Sequence, residues 1–161
     1  MFVEKMILWT LQHIEDWQSA ESDGVLRSVN FNRFSDEDFK RAYDWMRVKM
    51  SERIGPPPTP NSYPIWAWYQ HRDSNNRKPD LRQIAFDLPE QEYVRVEFEM
   101  PNSHVLLSDF DMWHFVLNYW YVGKDEDDDE YFDRLQQDHD VSYYDQPPLP
   151  VPNLHRLIEE S

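Results

Sequence analysis

The stretch Tyr93–Val122, YVRVEFEMPNSHVLLSDFDMWHFVLNYWYV, leaves the chain few folds to choose from. In its first eight residues Val94, Val96, Phe98 and Met100 alternate with Arg95, Glu97 and Glu99. Successive side chains of a strand point to opposite faces, so Tyr93–Met100 reads as a strand with one buried face. Pro101 and Asn102 end it. Further on, Ser108 stands three residues before Asp111, the pattern of a capping box that satisfies the first free helical N–H groups. Phe110, Trp113, Leu117 and Trp120 then recur at helical spacing, and Met112, Phe115, Val116 and Tyr119 carry the apolar surface round most of the circumference. The spacing predicts a helix over Asp109–Trp120 that is buried on most sides, and both elements need others to cover them.

The covering elements are legible in outline. Met6–Leu11 reads as a strand, Ile14–Glu21 as a short helix stopped by Gly24, and Val25–Val29 as a second short strand. Ser35-Asp36-Glu37-Asp38 caps a helix over Asp36–Ile54, whose apolar residues Phe39, Tyr43, Met46, Met50 and Ile54 share one side and which Gly55 and three prolines terminate. Gly55–Ser62 is a stiff connector. Ile65–Tyr69 and Ile84–Leu88 read as further strands. Lys124–Glu130, KDEDDDE, is either a solvated loop or a helix start, with a turn or two of helix over Phe132–Asp138. Val141–Pro152 is proline-rich and extended, and Asn153 is placed to cap a last helix, Leu154–Glu160. The expected architecture is α+β. It is a single domain, 1–161, with a small, mostly antiparallel sheet on which the helices Asp36–Ile54 and Asp109–Trp120 pack.

Composition removes several function classes. With no Cys among 161 residues, disulfides, thiolate metal sites and a cysteine nucleophile are excluded, and a reducing compartment fits. The six histidines contain no pair at metal-ligand spacing, so no metal site is expected; His114, beside Trp113, reads as a core histidine. No glycine-rich phosphate loop and no GxSxG elbow occurs. The N-terminal apolar run is short and acid-flanked, and none approaches the ~20 residues of a membrane span, so a soluble, cytoplasmic protein is expected. A net charge of −15 argues against direct nucleic-acid binding, because phosphate is neutralised by clustered Lys and Arg. The acids either keep an aromatic-rich domain dispersed or meet a basic protein partner, in the manner of an inhibitor or nucleic-acid mimic.

Three constellations can carry chemistry. Glu97 and Glu99 share a strand face about 7 Å apart, a separation suited to general acid–base work if that face lines a cleft and to mere solvation if it does not. Trp66, Trp68 and Tyr69 can stack on a flat ligand whose anionic part meets the basic residues Arg72, Arg77, Lys78 and Arg82; the same tryptophans serve equally as core. With Ser108 and Asp111 assigned to the cap, Asp109 is left as an acid without a structural duty.

The segments ILWTLQHIEDW, AYDWMRVKMSERIGPPP, YPIWAWYQ, KPDLR, VEFEMP and VLLSDFDMWHFVLNYWYV, taken in order, resemble a bacterial family known as domain of unknown function 3841. That family has no assigned activity. Its last helix continues beyond the counterpart of IEES, so the resemblance implies a shortened final helix here. The opening MILWTLQHIEDWQSAESDGVL also looks like the start of small domains related to ADP-ribosyltransferases. Where those carry a His or Arg that grips NAD, this chain carries Thr10 and Gln12, and Glu97-Phe98-Glu99 has the Glu-x-Glu form found near their catalytic Glu. That likeness implies NAD as the cofactor, with Thr10 and Gln12 beside it.

Overall fold

The computed structural model describes residues 3–28, 37–60, 62–70, 78–80, 93–142, 145, 149 and 151–161. Among them lie five α-helices and a two-stranded antiparallel sheet, an α+β fold. The chain gathers into two compact units, one of Met1–Ser35 with Tyr43–Leu106, the other of Asp36–Ala42 with Leu107–Ser161.

In the first unit, β1 (Lys5–His13) pairs with β2 (Tyr93–Pro101) in one unbroken register, from Lys5 opposite Pro101 to His13 opposite Tyr93. Alternation then decides the faces. Leu8, Thr10 and Gln12 are buried on the side of Val94, Val96 and Phe98, whereas Ile7, Trp9 and Leu11 share the other side with Glu99, Glu97 and Arg95. Helix α1 (Ile14–Asp23) follows without a loop and contacts both strands. His13 ends the strand and caps the helix, its Nδ1 accepting the Glu15 N–H at 3.4 Å, and Gly24 closes the helix at φ 71°. Helix α2 (Glu37–Arg53) ends where Gly55 and the prolines require. Its Tyr43 ring stands edge-on to Tyr63 and Trp66, at 6.3 and 6.0 Å, and the Tyr63 hydroxyl donates to Asp44 at 2.9 Å, which anchors the segment 62–70.

Two expected strands differ. Residues 25–28 of the Val25–Val29 run are irregular, with Val25 51% exposed; β1 already has β2 on one edge and Trp68 on the other. The Ile65–Tyr69 run meets β1 at a single bridge, Trp9 opposite Trp68, whose N–H and C=O groups exchange bonds of 3.0 and 2.7 Å. The ladder goes no further because the Trp66 carbonyl is taken by the Thr10 hydroxyl at 2.7 Å instead of a backbone N–H, and Pro64 has no N–H to offer. Ile84–Leu88, most of the basic loop and the Ser35–Asp36 cap lie outside the described residues.

The second unit holds α3 (Phe110–Asn118), α4 (Glu126–Asp138) and α5 (Pro152–Glu160). Its core is Tyr119, Phe132, Val141, Leu149 and Leu154, with Leu135, Leu157 and Ile158 packed around it. The helix expected over Asp109–Trp120 is shorter and less buried: only Trp113 is fully buried, Phe110 and Met112 are exposed, and so is His114, whose Nδ1 lies 3.1 Å from the Phe110 carbonyl. It is shorter because Tyr119 leaves the helix in a left-handed conformation, so that Tyr119 and Trp120 are not on it. The cap is Asp109, not Ser108; its carboxylate accepts the N–H groups of Asp111 and Met112 at 2.8 and 3.1 Å. Asp109 therefore has a structural duty. The acidic run proves to be the start of α4, capped by Asp125, and its carboxylates suit the positive end of the helix dipole. Asn153 lies inside α5 and accepts from Arg156, while Val151 holds the cap position without a side-chain bond.

Candidate functional site

Seven of the residues singled out in the sequence lie in the first unit, on two faces of its sheet. Thr10 and Gln12 lie side by side on the buried face, where the Gln12 amide donates to the Thr10 hydroxyl at 2.7 Å and that hydroxyl donates to the Trp66 carbonyl. Burying polar groups is tolerated only when they are bonded, and this relay bonds them to each other and ties the 62–70 segment to β1. Thr10 and Gln12 thus serve as internal struts where a ligand contact was expected.

On the opposite face, a directly opposed antiparallel pair puts both side chains on one side. Trp9 is opposite Glu97 through β2 and opposite Trp68 through the bridge, so Glu97, Trp9 and Trp68 stand in a row across the sheet. The Trp9 indole N–H donates to Glu97 Oε2 at 2.7 Å. The indole is 6% exposed, while the carboxylate it holds is on the surface. Glu99 is in different company, paired with Lys5 at 3.4 Å with both side chains more than half exposed. Arg95, the third charge of β2, donates to the Pro79 carbonyl. Of the two carboxylates expected to work together, only Glu97 is held by a buried donor. Trp66 and Tyr69 are half-buried on the segment that carries Trp68, Arg82 lies outside the described residues, and Asp109 belongs to the second unit.

Sequence patterns missed a second cluster. Tyr119, 4% exposed, hydrogen-bonds through its hydroxyl to His155 Nδ1 on α5. The Arg41 guanidinium lies 4.7 Å above the Tyr119 ring and donates to the carbonyls of Val116 and Leu117 at 2.8 and 3.1 Å, closing the C-terminus of α3. Burial, then the charge of Glu159, push the Tyr119 hydroxyl up to about 12, and burial holds Arg41 below its ordinary value. A phenol displaced upward is a hydrogen-bond donor, not a base. No residue spacing announced this site, because its members come from three separate elements.

A third set of bonds organises the acidic run. Asp129 accepts the Gly123 N–H at 2.9 Å, Asp128 accepts the Lys124 N–H at 3.1 Å and the Tyr121 hydroxyl at 2.7 Å, and the Tyr121 ring stacks on Phe132 at 4.1 Å. A shallow cleft lined in part by Tyr119, Trp120, Tyr121 and Phe132 has about 10 Å³ of water-accessible space, enough for about one water, and none of the expected site residues lines it. Among the described residues no group of three or more His, Asp or Glu is placed to hold a metal ion, and no helix is long and apolar enough to cross a membrane.

Neither a curated protein nor a solved structure matches the chain. A family model matches residues 7–161, a span that takes in β1 from Ile7 on, β2, all five helices and every residue of the three clusters except Lys5. The chain belongs to the family described as Domain of unknown function (DUF3841).

Proposed function

We propose that this chain binds a small ligand of the nucleotide class, NAD included, on the sheet face where Glu97, Trp9 and Trp68 stand side by side. The observation that carries this reading is the indole–carboxylate bond: a buried donor fixes the rotamer of a surface carboxylate beside an aromatic neighbour, the arrangement that orients a ligand's polar edge while its flat part packs. Thermal-shift measurements against NAD, ADP-ribose, AMP and ATP test it. A ligand at about 100 times its Kd adds about 2.7 kcal/mol, equivalent to roughly 5–10 °C for a chain of this length. The shift is expected to vanish in Glu97→Gln and to shrink in Trp68→Ala. If none of these compounds raises the midpoint, the reading falls.

A second reading, an acidic module for a basic protein partner, is favoured by one observation. Asp125, Asp128 and Asp129 turn to backbone N–H groups, whereas Glu126, Asp127, Glu130 and Asp133 stand exposed on α4 with the half-exposed ring of Tyr131 among them. Its test must spare the first three, whose loss would undo the helix start. Replacing Glu126, Asp127 and Glu130 by Gln, Asn and Gln should abolish salt-sensitive binding of a co-purifying basic protein; unchanged binding would rule the reading out.

A further inference from the structure

Resting on the ligand-site reading above, we infer that the group Glu97 recognises on this face is a hydrogen-bond donor, such as a sugar hydroxyl. The inference follows from how the charges of the face are spent. Lys5 is drawn to Glu99 at 3.4 Å, and Arg95 spends a donor on the Pro79 carbonyl. Glu97 differs: Trp9 occupies Oε2, and no bond among the described residues engages Oε1. The oxygen that Glu97 leaves to meet a ligand is an acceptor with a negative charge, in a chain whose net charge is already −15. A phosphate brought to that oxygen is repelled, whereas a hydroxyl gains a charge-assisted bond, roughly twice as strong as one between neutral groups. Because the Trp9 donor fixes the carboxylate, the direction of that bond is set before the ligand arrives.

The same geometry makes Glu97→Gln an informative change. The Trp9 N–H can be accepted only by the amide oxygen, so the amide nitrogen turns outward and presents a donor where the wild type presents an acceptor. Isothermal titration of the full chain with adenosine, 2′,3′-dideoxyadenosine and ADP, at low and high NaCl, tests the proposal. Adenosine is expected to bind at least tenfold more tightly than its dideoxy analogue, with little dependence on salt. Glu97→Gln is expected to weaken adenosine at least tenfold and leave the dideoxy compound unchanged. If the dideoxy analogue binds as well as adenosine, the donor assignment is overturned while the ligand site stands. If none of the three probes binds, the ligand-site reading fails and takes this inference with it.

Discussion

Tyr119 stands where a helix most often ends on glycine. At φ 58° its Cβ crowds the following carbonyl, at a cost of about 1–2 kcal/mol that glycine would not incur. The residue is kept there by what its side chain reaches: a place in the second unit's core, the guanidinium of Arg41 on its ring, and His155 at its hydroxyl. Tyr119→Phe removes that bond with little change of volume and is expected to cost about 1 kcal/mol by denaturant unfolding. The hydroxyls of Tyr119 and Tyr121 are both raised to about 12, the second by burial and its bond to Asp128. A proton held more tightly in the folded state gives stability that is complete below the unfolded value near 10 and lost as pH rises through 12. Alkaline unfolding should therefore set in between those values, and in a phenolate titration of the folded chain Tyr119 and Tyr121 should ionise late, with one late group fewer in Tyr121→Phe.

At the scale of elements, α4 depends on the acids that precede and open it. Asp125 accepts the Asp128 N–H at 3.0 Å, and its replacement by Ala should cost about 1 kcal/mol, read as a lower unfolding midpoint. The Asp128 carboxyl is held below its ordinary value, chiefly by the Lys124 N–H and then by the Tyr121 hydroxyl. A depressed carboxyl contributes stability that is present above the unfolded value near 4 and lost as pH falls through the folded one. Hydrogen exchange at the Lys124 amide should accordingly stay slow down to about pH 4 and quicken only in stronger acid. Gly123 belongs to the same device. A Cβ there would run into the Asp129 carboxylate that accepts its N–H, so Gly123→Ala should destabilise by about 1–3 kcal/mol, with the loss confined to this loop and α4. These bonds explain why the run KDEDDDE is ordered even though six of its seven residues carry like charge.

For the whole molecule, the charge of −15 works against every compact arrangement of the chain. Raising NaCl from about 10 mM to about 0.1 M shortens the screening length from ~30 to ~10 Å, so the melting midpoint is expected to rise over that range. A midpoint that stays flat or falls would mean that attractive pairs such as Lys5–Glu99 outweigh the general repulsion.

The sequence by itself determined the elements whose signals are local. The period-2 alternation of Tyr93–Met100 and the apolar run of Met6–Leu11 placed both strands of the sheet, and Gly24, Gly55 and the prolines marked where α1 and α2 stop. Such signals survive because neighbours in the chain settle them. Tertiary structure decided everything that depends on the choice of partner. The spacing of Ser108 and Asp111 assigned the cap of α3 to Ser108, yet Asp109 is the one whose carboxylate meets the free N–H groups. Trp66 and Trp68 looked like strand residues, but the Thr10 hydroxyl took the carbonyl a ladder would have needed. Tyr119 and Trp120 kept the helical period but left the helix, because the burial of Tyr119 in the core outweighs its strained backbone. Glu97 and Glu99 were indistinguishable as letters two residues apart on one face. Only the folded sheet gives one of them a buried indole and the other a solvent-exposed lysine, because register across strands, not spacing along one, decides which side chains meet.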